Sequence, residues 1–171
     1  MSLLRPTTIL IAALLLTTTA GIARATDVSM AGGSVHFSTP DTWLGIMQTD
    51  GDPEIRVFQV PGPSDSTTLA RVTVTIKQVN GTDGFQTYVS SAADRAKTLT
   101  GYQPATHDSG ETNSFTYTAT ESGTPFEYVE RYWFKNGSAI QLRCVRPAQS
   151  EAGPAWKASF DKGCNAIAAA L

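Results

Sequence analysis

The sequence predicts an α+β domain in which a mostly antiparallel sheet is flanked by two helices. Three observations carry this. Short alternating apolar segments are joined by tight Gly, Pro, Asn and Asp turns, which connect antiparallel neighbours. Two longer segments carry apolar residues at helical spacing. The order of the two kinds is strands, helix, strands, helix, which gives strands covered by amphipathic helices.

The elements follow in order. Val28 to Ser38 alternates weakly and contains Val35 and Phe37. Pro40-Asp41-Thr42-Trp43 turns the chain into a short strand from Gly45 to Thr49. Asp50-Gly51-Asp52-Pro53 is dense turn chemistry and marks a hairpin tip. Ile55 to Val60 returns from it and ends at Pro61-Gly62-Pro63, where a polar loop to Ser66 begins. Ala70 to Val79 is the cleanest strand, with Val72, Val74 and Ile76 on one face and Arg71, Thr73, Thr75 and Lys77 on the other.

A helix follows, with Asp83 as N-cap, Gln86 as its capping-box partner and Gly101 as the residue that ends it. Its buried stripe is Phe85, Val89 with Tyr88, Ala92, Ala96 and Leu99. Strands resume after His107. Phe115, Tyr117 and Ala119 alternate with threonines, Ser122-Gly123-Thr124-Pro125 turns, and Phe126 to Lys135 is a long aromatic strand. Asn136-Gly137 is the strongest two-residue hairpin signal in the chain. It leads into a strand over Ala139 to Val145, where Ile140, Leu142 and Cys144 share a face. Pro154 to Leu171 is the closing helix, with Trp156, Phe160, Cys164, Ile167 and Leu171 on one stripe and Gly163 inside it.

The first 25 of the 171 residues read as a secretory signal peptide: Arg5, then the apolar run Ile9 to Leu16, then Ala23-Arg24-Ala25 as cleavage site. The run is far shorter than the roughly 20 residues that span a bilayer. A single domain over residues 26–171 is expected, 146 residues long. Without Arg5 and Arg24 it holds 11 basic against 15 acidic residues, a net charge of −4. That balance argues against nucleic acid as a partner. No stable membrane insertion of this domain is expected, and the expected location is periplasmic or secreted. Export makes Cys144 and Cys164 candidates for a disulfide from the last strand to the last helix, since both lie on apolar faces. Such a bridge closes a loop of about 20 residues and stabilises by roughly 3 kcal/mol.

The chemistry-bearing residues are few. The histidines are His36, beside two apolar positions of the first strand and so facing solvent, and His107, in a polar loop beside Asp108 and near Glu111. No serine sits in G-x-S-x-G, and Ser159 to Lys162 matches S-x-x-K without its companion motifs. Asp50, Asp52 and Glu54 alternate as Ca²⁺ ligands can, but Pro53 interrupts the pattern and the ordinary reading is a solvated tip. Glu127, Glu130 and Arg131 read as exposed cross-strand charges. Asn80-Gly81-Thr82 and Asn136-Gly137-Ser138 match the glycosylation pattern and are read as turns. In the aromatic strand, Phe126, Tyr128, Tyr132 and Phe134 fall on one face and Trp133 on the other. Core packing accounts for most of them. Trp43, Tyr132 and Trp133 are the candidates for a binding surface, because aromatics anchor interfaces.

The opening Gly33, Val35, Phe37, Pro40, Trp43, read as G-x-V-x-F-x-x-P-x-x-W, resembles the start of many members of the PsbP-like superfamily, which includes bacterial envelope proteins of the DcrB type. The order of elements is similar over nearly all of the chain after the leader. The resemblance implies an α/β/α sandwich and a non-enzymatic accessory or protein-binding role, in some bacterial relatives as periplasmic immunity proteins. No catalytic residue and no cofactor is carried over. The expected function is therefore an exported accessory or protein-binding module of the cell envelope, of immunity or inhibitor type in one version, with another envelope protein as partner. A periplasmic carrier of a small molecule or lipid, and an envelope hydrolase, are the two alternatives.

Overall fold

The computed structural model describes residues 25–62, 70–105, 112–149 and 152–171. The leader up to Arg24, the loop from Pro63 through Ser66, and His107, Asp108 and Glu111 lie outside these residues. The described chain forms β1 (Ala25–Met30), β2 (Val35–Pro40), β3 (Leu44–Thr49), β4 (Glu54–Val60), β5 (Ala70–Gln78), α1 (Gly81–Lys97), β6 (Gln103–Pro104), β7 (Ser114–Glu121), β8 (Thr124–Lys135), β9 (Ser138–Pro147) and α2 (Gly153–Ala170). The main sheet has seven strands in the order β3-β4-β5-β9-β8-β7-β6. Each of its pairings is antiparallel. β1 and β2 form a separate antiparallel hairpin.

Period-two alternation sorts the sheet into two faces. Val72, Val74 and Ile76 of β5 lie opposite Cys144, Leu142 and Ile140 of β9, and all six are buried. This face packs against α2 and the β1–β2 hairpin, with Phe37, Phe58, Phe160 and Ile167 in the same core. Each fully buried aliphatic chain here stabilises by about 1.5–3 kcal/mol relative to exposure. The other face carries Tyr117, Ala119, Tyr128, Tyr132, Ala139 and Val145, covered by Phe85, Val89, Ala92 and Ala96 of α1. The layers are therefore helix, sheet, helix, as expected. The buried residues follow the helical stripes of the sequence: Phe160, Gly163, Cys164 and Ile167 on α2, and Phe85, Val89, Ala92 and Ala96 on α1.

Cys144 and Cys164 form the expected disulfide, with Cα atoms 6.4 Å apart. The Asn136-Gly137 turn has positive φ at both residues (50° and 76°) and joins β8 to β9 in register from Lys135↔Ser138 onward. That geometry suits Asn and Gly and matches the sheet's twist.

Three expectations are corrected. The segment Val28 to Ser38 is not one strand. Ala31, Gly32 and Gly33 all adopt positive φ and fold it into the β1–β2 hairpin. Residue Asp83 is not the N-cap of α1 but lies in its first turn; Asn80 occupies the N-cap position, without a side-chain capping bond, because the chain turns at once at Gly81, φ 69°. Glu130 is not an exposed charge but only 4% exposed, because it shares its face with Tyr128 and Tyr132 under α1. Among the described residues no helix is long and apolar enough to cross a membrane.

Candidate functional site

Two surfaces gather the unusual chemistry. The first is a polar cluster between α1 and the β7–β9 half of the sheet. Its centre is the buried Glu130 carboxylate. Tyr117 Oη donates to Glu130 Oε1 at 2.7 Å, and Tyr132 Oη makes a short hydrogen bond to Oε2. Gln141 Nε2 donates to Oε2 at 3.1 Å, while Gln141 Oε1 accepts from Tyr88 Oη at 2.9 Å. Arg143 Nε forms an ion pair with Oε1 at 3.0 Å. Arg143 also lies over the Tyr128 ring, 5.1 Å from its centroid, and Tyr128 stacks on Tyr117 at 4.7 Å. At the far end Tyr128 Oη and Arg71 both make short contacts to Glu121.

Electrostatics follow from this packing. Burial, reinforced by the Glu130 charge, holds the Tyr117 and Tyr132 phenols well above their ordinary range. Burial and the bond to Glu121 push Tyr128 up to about 12. Burial raises Tyr88 as well. Burial alone would lower Arg143, but the Glu130 carboxylate together with Tyr117 and Tyr128 offsets that and raises it. Burial would raise Glu121, yet hydrogen bonds from Arg71 and Tyr128 hold it below the usual carboxylate range. The cluster thus sets Glu130 against Arg143 and Glu121 against Arg71, among neutral phenols. Above it lies a cavity of about 410 Å³, walled by Ala92, Arg95, Ala96 and Leu99 on one side and Tyr117, Glu130 and Arg143 on the other.

The second surface is the β3 edge of the sheet. Among the described residues β3 pairs only with β4, so its outer backbone edge is open. Its sequence LGIMQT has no charge, and Leu44, Ile46 and Met47 are 52%, 55% and 48% exposed. Natural edge strands are normally protected by charges, prolines or cover. A groove of about 600 Å³ runs beside it, lined by Asp27, Val28 and Ser29 of β1 and by Gly45, Ile46 and Met47 of β3.

The residues singled out in the sequence are dispersed. Trp43 is buried, stacked on Phe160 and seated over Gly163. Tyr132 is buried and belongs to the Glu130 cluster, whereas Trp133 is half-buried on the opposite face, against the α2 core. The structure brings none of these three together on a free surface. Asp50 bonds Arg56 and Gln48. Asp52 accepts from the Gln78 backbone N–H at 2.9 Å. Glu54 accepts from the Ala31 N–H at 2.7 Å and pairs with Arg56. These carboxylates tie strands together, and no group of metal-ligating residues forms among the described residues. His36 is exposed on β2. Sequence reasoning read Glu130 as an exposed charge and passed over Gln141 and Arg143. The signal that finds Glu130 is parity: an even-numbered glutamate between two even-numbered buried tyrosines must point inward.

Neither a family of known proteins nor a curated protein matches the sequence. Solved structures do share its fold. The Ran-binding protein Mog1p of Saccharomyces cerevisiae superposes with a TM-score of 0.56 at 9% identity, over 86% of this chain and 94% of that one. LpqN, involved in cell envelope biogenesis of Mycobacterium tuberculosis, gives 0.54 at 14% identity, over 86% of this chain and 88% of its own. At such identities the likeness shows the fold alone, an α/β sandwich of the kind that the PsbP-like resemblance implies.

Proposed function

We propose that this chain is an exported, non-enzymatic accessory module that binds another protein of the bacterial envelope through the open edge of its main sheet. The observation that carries the reading is β3: uncharged, unpaired on its outer side among the described residues, and exposing Leu44, Ile46 and Met47. An extended partner segment adds there as an eighth strand. Main-chain hydrogen bonds supply affinity, and side chains seated in the β1–β3 groove supply specificity. Six residues present roughly 20 Å of edge. Export is supported by the A-x-A leader and by the disulfide, which persists in oxidising compartments. Kinship with DcrB-type envelope proteins belongs to the same reading, and an immunity or inhibitor role is one form of it. A fold shared with an envelope-biogenesis protein fits that compartment, though fold by itself sets no function.

The test compares capture of partners from solubilised envelope by the wild-type chain, an Ile46→Lys/Met47→Glu double variant and an Asp94→Asn control on α1. The expected result is one specific partner recovered by wild type and control, and about tenfold less by the edge variant at unchanged melting temperature. Equal recovery by all three, or no specific partner for the wild type, overturns the reading.

A further inference from the structure

The cavity under α1 lies away from the β3 edge and has its own chemistry. Its acceptors are already engaged. Both Glu130 oxygens carry bonds from Tyr117, Tyr132 and Gln141, with Arg143 Nε in addition, and Gln141 Oε1 takes the Tyr88 hydroxyl. A carboxylate offers about four lone-pair sites, so Glu130 has little capacity left. The donors are not exhausted. Among the described residues the terminal nitrogens of Arg143 make one long contact, Nη2 to Tyr117 Oη at 3.4 Å, and the side chain is 35% exposed. Arg95 lines the same cavity from α1 and is itself exposed. The nearby carboxylate of α1, Asp94, is engaged by Lys97 at 2.9 Å. Among the described residues Glu130 offsets Arg143 and no carboxylate pairs with Arg95, so one positive charge is in surplus.

The rest of the wall is apolar. α1 presents only the methyl groups of Ala92 and Ala96 toward the sheet here, and Leu99 and the Tyr117 ring complete the surface. Small residues at these two positions are what leave about 410 Å³ open, within the range of small-molecule sites. Surplus donors and one surplus positive charge select an acceptor with a single negative charge. Two guanidinium groups match a carboxylate in bidentate geometry.

We propose that this cavity is a binding site for a small organic monoanion, a carboxylate attached to a compact apolar or aromatic body. The carboxylate lies between Arg95 and Arg143, and the body lies against Ala92, Ala96 and Leu99. The site is independent of the strand-addition edge and stands or falls separately from it. A phosphate dianion fits less well, because a single surplus cation faces it across the buried Glu130 charge.

The experiment titrates the purified chain, isotope-labelled for NMR, with benzoate, with its uncharged isostere benzamide, and with inorganic phosphate. Benzoate is expected to shift the amide signals of Ala92, Ala96 and Arg143 saturably, with benzamide at least about tenfold weaker. Arg95→Gln is exposed and leaves the fold intact; it is expected to weaken benzoate about tenfold, while Lys77→Gln, outside the cavity, leaves binding unchanged. No saturable shift with benzoate overturns the proposal. Equal binding of benzamide, equal competition by phosphate, or equal loss in the Lys77 variant overturns it too.

Discussion

At the scale of the residue, Glu130 organises one side of the molecule. A buried carboxylate is tolerable because three hydrogen bonds and a guanidinium replace its hydration. Glu130→Ala would strand Arg143, Tyr117, Tyr132 and Gln141 together. It is expected to destabilise by at least about 1–3 kcal/mol in urea unfolding, the cost of leaving the buried Tyr117 and Tyr132 hydroxyls unsatisfied. The tyrosines give a second prediction. Tyr88, Tyr117, Tyr128 and Tyr132 are raised above the usual value of 10, Tyr128 to about 12. Below pH 10 the phenols are neutral in both folded and unfolded chains, and stability does not depend on them. As pH rises through 10 toward 12 the unfolded chain loses these protons first, so stability falls over that window. Tyrosinate absorbance in the folded chain is expected to lag behind that of the urea-unfolded chain. Coincident titration curves would contradict the burial of these four hydroxyls.

At the scale of the element, α2 is built around a residue that helix propensity disfavours. Gly163 lies mid-helix because the Trp43 ring packs on its Cα. A Cβ added there would come within 2.5 Å of Trp43 Cζ2 and 2.8 Å of Cη2. Alanine in place of glycine gains up to about 1 kcal/mol in a helix, and overpacking costs typically 1–3 kcal/mol. Gly163→Ala is therefore expected to lower the melting temperature. Gly84 of α1 is the counterpart: an added Cβ meets the nearest atom, Val79 Cβ, at an ordinary 3.4 Å. Gly84→Ala is expected to raise stability by about 1 kcal/mol. The same substitution thus has opposite signs in the two helices. The disulfide joins β9 to α2 beside this contact. Replacing both cysteines with alanine is expected to cost about 3 kcal/mol, read as a shift of the denaturation midpoint that reductant reproduces in the wild type.

At the scale of the whole molecule, the two helices divide the work unequally. α2 and the β1–β2 hairpin close one face of the sheet around the main core. α1 packs over β7–β9 on the other face, and β3 remains outside both layers. An open, uncharged edge is also a route to edge-to-edge association. Ile46→Lys is accordingly expected to raise the concentration at which the chain stays monomeric, measured by light scattering, with little change in stability. Much of this architecture was legible in the chain. Helical stripes and turn chemistry are local, so Phe160, Cys164 and Ile167 on α2 and the Asn136-Gly137 hairpin could be read directly. The hairpin within Val28 to Ser38 could not, since Ala31 joins two glycines at positive φ only because its flanking strands find each other. Strand position in the sheet was equally hidden: Gly45 to Thr49 reads as a strand whether it is central or at the edge.

Periodicity in the sequence was sufficient for the layered α+β order, the two buried helical stripes, the faces of the aromatic strand and the disulfide pair. Those properties depend on side-chain direction along one segment and on apolar surface seeking cover. The tertiary structure alone decided that Glu130 is buried, that Trp43 is core, that β3 is an open edge and that a cavity stands above Arg143. Each of these depends on which element lies opposite, and no spacing along one strand encodes its neighbour across the sheet. The physical reason is that a charge or an aromatic ring takes its role from its desolvation and its partners, and both are set when distant segments pack.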